Sequence, residues 1–268
     1  MTTLLRHRWP VLGAILLPLL ALSASAWAAQ GTAVDVDPDA HARGSGGERT
    51  LVVGADISVG ETVITGPQGV VQLLFDDQTR IVVGPGSALT IESYLLAGPG
   101  SASKFAVDAL GGTFRFLSGN SQKSAYSINS PTATIAIRGT KFDFDVDRNQ
   151  TRVMLYEGAV QLCARAGPCT ELVDRCDIGV AASGSAVRFG PRDAERVPIS
   201  LRFRYARFQQ PLLPDFRVSG TVRCTEPVTE AGVPETVGTG GGAVIVQAPG
   251  GPPAPPPPAP PPPVRGRQ

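Results

Sequence analysis

The sequence predicts an all-β fold, a compact β-roll or solenoid-like sheet domain with at most one short helix, flanked by disordered ends. Three observations lead there. Apolar side chains recur at every second residue in several short runs, the period of a half-buried strand. Glycine stands at the head of run after run, where a chain turning a corner needs a residue without a Cβ. A helical spacing of apolar residues can be traced in one short segment alone.

From the N-terminus, residues 1–28 read as an export signal. Arg6 and Arg8 supply a positive start, Val11 to Leu22 an apolar stretch, and Ala24-Ser25-Ala26-Trp27-Ala28 the small residues of a cleavage site, with the cut expected after Ala28 or, alternatively, after Ala26. The apolar stretch falls short of the ~20 residues that span a bilayer, which favours a cleaved signal over an uncleaved membrane helix. Residues 29–47, rich in Gly, Ala and Asp without an apolar period, read as a flexible leader.

The folded domain is expected over residues 48–224, long enough for one sizeable core. Within it Val71, Leu73 and Phe75 alternate with Gln72 and Leu74, and Phe114 and Phe116 flank Arg115. Phe142, Phe144 and Val146 alternate with Asp143, Asp145 and Asp147, and Val153 and Leu155 with Arg152 and Met154. Gly66-Pro67-Gln68-Gly69 has the proline and glycine of a type I turn, and Asp76-Asp77-Gln78 and Gly84-Pro85-Gly86-Ser87 read as further turns. Runs open at Gly69, Gly112, Gly158 and Gly184, at irregular intervals that fit a roll or solenoid with glycine corners; an ordinary sandwich is the alternative. Pro198 to Gln210 has the helical spacing, although Leu201, Phe203 and Tyr205 also alternate with Arg202 and Arg204. Residues 225–268 form an expected disordered tail, with a glycine joint at 238–242 and mostly proline over 249–263, where the missing backbone donor leaves an extended polyproline helix.

Cleavage of the signal leaves 22 basic against 23 acidic residues. A balance so near zero argues against nucleic acid as a partner, because neutralising phosphates takes a basic surface. It also predicts no polybasic membrane patch. Four cysteines, Cys163, Cys169, Cys176 and Cys224, all lie past that point. In an exported chain an even number suggests two structural disulfides. Three pairings are possible, and the sequence does not choose among them. Cys163 and Cys169 flank a turn-like loop and are placed to face each other across a hairpin; Cys176 with Cys224 would then close a long loop. Metal binding is the weaker reading, since there is no C-x-x-C pair and His41 is the one histidine after the signal.

Catalytic constellations are hard to assemble from these residues. A histidine-based nucleophile site has His41 alone to draw on, in the expected leader. Asp143, Asp145 and Asp147 share one strand face, and Asp143 to Asn149 superficially resembles the start of a calcium loop. The sixth position is Arg148 where glycine is needed and the twelfth Met154 where a bidentate Glu is needed. The expectation is a solvent-facing acidic row partly balanced by Arg152 or Arg138.

Several motifs follow one another in order: Gly60-Glu61-Thr62-Val63-Ile64-Thr65-Gly66, Val71 through Asp77-Gln78-Thr79, Gly86-Ser87-Ala88-Leu89, Gly112-Thr113-Phe114-Arg115-Phe116, and Thr132 through Arg138-Gly139-Thr140-Lys141-Phe142, closing with Glu157-Gly158-Ala159-Val160. On these residues the stretch from Gly60 to Leu162 resembles the FecR domain, the periplasmic domain of FecR-type regulators. Gln78 stands where the family usually has glycine. The residues singled out as the structural motif are Gly66, Asp77, Gly112, Arg138, Gly139, Thr140, Phe142 and Gly158. Arg138 is expected to bond carbonyls or an acid at a strand corner, Gly139 to bend the backbone there, Thr140 to bond the turn, and Phe142 to re-enter the core. The resemblance implies a compact periplasmic β domain. In the family's regulators this domain senses the signalling domain of an outer-membrane receptor, behind a cytoplasmic anti-sigma segment and a membrane helix; here a signal-like stretch stands in that place.

The expected function is therefore an exported binding or regulatory module, periplasmic or secreted. It would recognise a protein or envelope polymer through a strand edge or sheet face, without catalysis, cofactor, metal or a membrane span after signal cleavage. The alternative is a structural or adhesin-like envelope protein with a proline-rich spacer.

Overall fold

The computed structural model describes residues 30–227. The expected signal segment, and the expected tail from residue 228 onward, lie outside the described residues.

Fifteen strands join one branched sheet. They are β1 (Gly31–Val36), β2 (Ala40–Gly44), β3 (Gly47–Thr50), β4 (Asp56–Ile57), β5 (Thr62–Thr65), β6 (Val71–Phe75), β7 (Arg80–Val83), β8 (Ala88–Gly98), β9 (Ser101–Leu117), β10 (Tyr126–Asn129), β11 (Ala133–Val146), β12 (Gln150–Ala164), β13 (Cys169–Leu172), β14 (Ile178–Ala182) and β15 (Ser185–Phe189). Two short helices follow, α1 (Arg196–Ser200) and α2 (Arg204–Arg207), then single 3-10 turns at Pro214–Phe216 and Thr221–Thr225. The pairings are antiparallel apart from β9 with β10.

The pairing register divides this sheet into two halves. The first runs β4-β1-β6-β7, continues through β9 beyond Gly111, β11 beyond Arg138 and β12 before Gly158, and ends on β14 and β15. The second runs β3-β2-β5-β8, then the opening part of β9, β10, the opening part of β11, the closing part of β12, and β13. The chain alternates between the halves, and β9, β11 and β12 are long enough to serve both. One core fills the space between them. Phe75 of the first half meets Phe105 of the second edge-on at 4.8 Å, and Phe114, Phe116, Phe142 and Phe144 continue the aromatic stack. The period-two residues are those that face this core: Val71, Leu73, Phe75, Phe142, Phe144, Val153 and Leu155 are buried.

The expected leader is a correction. Residues 31–44 are strands, with β1 on β6 and β2 on β5. Their fully buried apolar residues are the small Ala33, Ala40 and Ala42, while Val34 and Val36 are only partly buried, so the sequence offers little bulky period to read. Small residues are what the site accepts, since a Cβ on Gly31 would lie 2.8 Å from the Phe75 ring. The single helix expected over Pro198–Gln210 is two short helices separated by an extended Phe203, whose ring is buried under the sheet.

Residues 190–225 form a cap over the outer face of the first half-sheet. Phe203, Ala206, Val218 and Cys224 pack on Leu117, Met154, Tyr156 and Ile178. Tyr205, Leu212 and Phe216 pack on Val70 and Val82. The disulfide Cys176–Cys224 ties the cap to the loop before β14, and Cys163–Cys169 bridges the β12–β13 hairpin.

Candidate binding surface

Three of the motif residues are corner glycines. Gly112, Gly139 and Gly158 have positive φ and sit where β9, β11 and β12 pass from one half-sheet to the other. At Gly139 β11 bulges: its earlier residues pair with β10 and its later ones with β9. The Thr140 amide donates to Ser118 Oγ at 2.9 Å, while the buried Thr140 Oγ1, expected to bond the turn, has no partner among the described residues. Phe142 re-enters the core against Phe116. Gly66 lies in the expected turn, with the Gly69 amide donating to its carbonyl at 3.1 Å.

Asp77 is a wholly buried carboxylate without a cation beside it. It accepts from the Thr79 amide (3.0 Å), Thr79 Oγ1 (2.9 Å), Ser121 Oγ (2.6 Å) and Tyr126 OH (2.8 Å). Four donors satisfy the charge in place. Burial, first of all, raises the pKa of Tyr126 and of Tyr94, whose hydroxyl accepts from the Asp77 amide; the nearby Asp77 charge adds to both shifts.

Arg138 is exposed, and no hydrogen bond or ion pair among the described residues holds its guanidinium. The anchoring role falls to Arg115. Its Nε and Nη2 donate to the two oxygens of Asp143 at 2.6 and 3.0 Å, Nη2 also to the Tyr205 carbonyl at 2.9 Å, and Nη1 to Gln209 Oε1. Tyr156 OH donates to Asp143 at 2.7 Å. Asp143 is thus buried, not part of a solvent-facing row; Asp145 and Asp147 remain nearer the surface and share Arg152. The cap makes the difference, because it covers the strand face at Asp143. A charged residue between two phenylalanines on β9, level with an acid between two phenylalanines on β11, was the available signal; what it lacked was the covering segment ninety positions on.

Among the described residues no group of three or more His, Cys, Asp or Glu is placed to hold a metal ion. His41 lies on β2 with Nε2 3.7 Å from Asp39. No helix among the described residues is long and apolar enough to cross a membrane.

Among the described residues, two exposed surfaces stand out. The first is the outer face of the second half-sheet, which nothing described covers. Register places Thr90, Asp108, Asn129, Thr134 and Cys163 in one row, and Ser93, Ala106, Ser127, Ala136 and Gln161 in the next. Most of these side chains across five strands are short and polar; Ala106 and Ala136 are apolar, and Ala106 is buried. Asn129 Nδ2 donates to Asp108 Oδ1 (3.0 Å) and Glu92 Oε2 (3.2 Å), beside a cleft of about 430 Å³ that Arg165 also lines. This face ends at β8, whose outer edge is unpaired beyond Ile91 and carries Leu95 and Leu96, 57% and 55% exposed. An unpaired edge is a template for an added strand. The second open surface is the outside of the cap, where Arg202, Arg204 and Arg207 stand together. Within a chain of near-zero net charge, three arginines are gathered here.

Comparison with known proteins agrees with the motif reading. The model of the family described as FecR protein matches residues 61–161. No curated protein matches the chain. Two crystal structures of a candidate anti-sigma factor from Parabacteroides distasonis ATCC 8503 are similar over 52% of this chain, at 10% identity and TM-scores of 0.40 and 0.41. This chain spans 63% and 62% of those proteins, less than two thirds of their length. The ordered motifs and the family match together make residues 61–161 a FecR domain.

Proposed function

We propose that the chain is an exported, non-catalytic sensing module of the cell envelope, which recognises a protein or envelope polymer on the open face and β8 edge of its second half-sheet. The FecR domain supports a regulatory role. The paired cysteines support an oxidising compartment, periplasmic or outside the cell. The observation that carries the choice of surface is the asymmetry of covering: the cap packs over one outer face, while no described segment packs over the other, which is mostly polar and lies beside an unpaired edge.

The test is affinity capture from envelope extract, run in parallel with wild type, with Ser127→Arg in the middle of the face, and with Leu96→Pro on the edge. One stoichiometric partner held by wild type and lost with either variant is the expected result. A monodisperse protein that retains nothing, or a partner held equally by both variants, would count against this surface. Thermal melts of the variants separate lost binding from lost folding.

A further inference from the structure

The outside of the cap combines features that the open half-sheet lacks. Residues 196–214 contain four arginines and no acid. Arg196 is buried and spends its guanidinium on the carbonyls of Pro191, Cys224 and Glu226. The other three, Arg202, Arg204 and Arg207, are exposed, and none has an ion pair or a side-chain hydrogen bond among the described residues. They are held out by their neighbours: Phe203, Tyr205 and Ala206 are fully buried between them, so the arginines have no inward alternative. Leu201 and Phe208, 49% and 44% exposed, complete the patch, with the Arg204 guanidinium 5.7 Å from the Phe208 ring centroid. These five residues line one shallow depression with no carboxylate in its wall.

Three like charges set side by side on a pinned scaffold repel one another, whereas Arg188 is neutralised by Asp174 and Asp177. A counter-charge from outside is the missing component. Guanidinium matches phosphate oxygens bidentately, and large apolar side chains interleaved with bases are what settles at a headgroup and acyl boundary. We infer that the cap is a peripheral docking site for a membrane surface carrying anionic phospholipid, with Arg202, Arg204 and Arg207 on the phosphates and Leu201 and Phe208 in the interface. This goes beyond the proposed recognition by the second half-sheet and does not depend on it.

The experiment is co-sedimentation of the exported, purified protein, its N-terminus read by mass spectrometry, with vesicles of phosphatidylcholine alone and with added phosphatidylglycerol. Binding is expected to the anionic vesicles, to weaken as salt screens the charges, and to fall on the order of 100-fold in the triple Arg→Gln variant, about fivefold per arginine. The triple Arg→Lys variant keeps the charge but loses the bidentate fork, so it should bind more weakly than wild type and more tightly than the triple Arg→Gln variant, and Leu201→Ser with Phe208→Ser should lose binding while keeping the charge. All five side chains are exposed, so melting temperatures should be unchanged, and the Arg→Lys variant guards against a folding artefact. Equal binding to both vesicle types, or undiminished binding by the triple Arg→Gln variant, would overturn the inference. So would binding to a soluble polyanion such as heparin but not to anionic vesicles.

Discussion

A single buried ion pair decides how the cap meets the sheet. Arg115 and Asp143 are both fully buried, and the guanidinium also holds cap carbonyls and Gln209. Removing one partner of such a pair leaves a charge in a dry site, at a cost of about 3–5 kcal/mol. Arg115→Ala should therefore lower the urea midpoint steeply and speed amide exchange over residues 203–218, whereas the double change Arg115→Met with Asp143→Leu should recover most of the loss. Gln78 is the opposite case. Its φ is +69°, in the turn between β6 and β7. A side chain there costs about 1–2 kcal/mol, against which glycine's freedom in the unfolded chain offsets part. Gln78→Gly should raise stability by roughly 0.5–1 kcal/mol in the same denaturant measurement. The departure from the family pattern is thus a small strain that this chain tolerates.

At the scale of elements, three long strands have to bend without breaking their ladders. The Gly139 bulge of β11 nests against Gly158 of β12, and a Cβ on Gly158 would lie 2.0 Å from the Gly139 carbonyl oxygen. A Cβ on Gly139 would meet the flexible end of Lys123 at 3.1 Å and no backbone. Gly139→Ala should cost the conformational penalty alone, about 1–2 kcal/mol, and Gly158→Ala about 3 kcal/mol or more because the two strands must part. The disulfides order in a similar way. Cys176–Cys224 closes a separation of 48 residues and Cys163–Cys169 one of six. Chain entropy puts their contributions at about 4 and about 2 kcal/mol. Paired Cys→Ser variants should separate in thermal melts in that order, with cap exchange accelerated in the first alone.

Over the whole molecule, all four tyrosines have raised pKa values, in each case chiefly through burial. Their folded-state values exceed the ordinary value near 10, so the stabilising contribution is intact below about pH 10 and is lost as pH rises through the folded values. Absorbance at the tyrosinate band should stay flat through the pH region where free tyrosine titrates, then rise together with the loss of tertiary signal. Independent titration of single tyrosines near their ordinary value would contradict this burial. The two open surfaces lie on opposite sides of one core, since the cap covers the first half-sheet's outer face and the bare face belongs to the second. A protein docked by its cap would hold the bare face away from the membrane.

The all-β class, the positions of the core phenylalanines and the corner glycines were legible in the chain, because strand periodicity and positive φ are local properties that individual residues report. So was the family, carried by ordered motifs over residues 61–161. The strands at residues 31–44 were not legible, because their fully buried residues are alanines and the bulkier Val34 and Val36 make too short a run to read; their place comes from what they pair with. Nor was the burial of Arg115 and Asp143. Arg202, Arg204 and Arg207 are close in the chain already, but their outward display follows from the burial of Phe203, Tyr205 and Ala206 beside them. Burial depends on which distant segment lies across a face, and here that segment is a cap joined to the sheet by packing and a long-range disulfide. Only the folded chain places Arg115 and Asp143 under it.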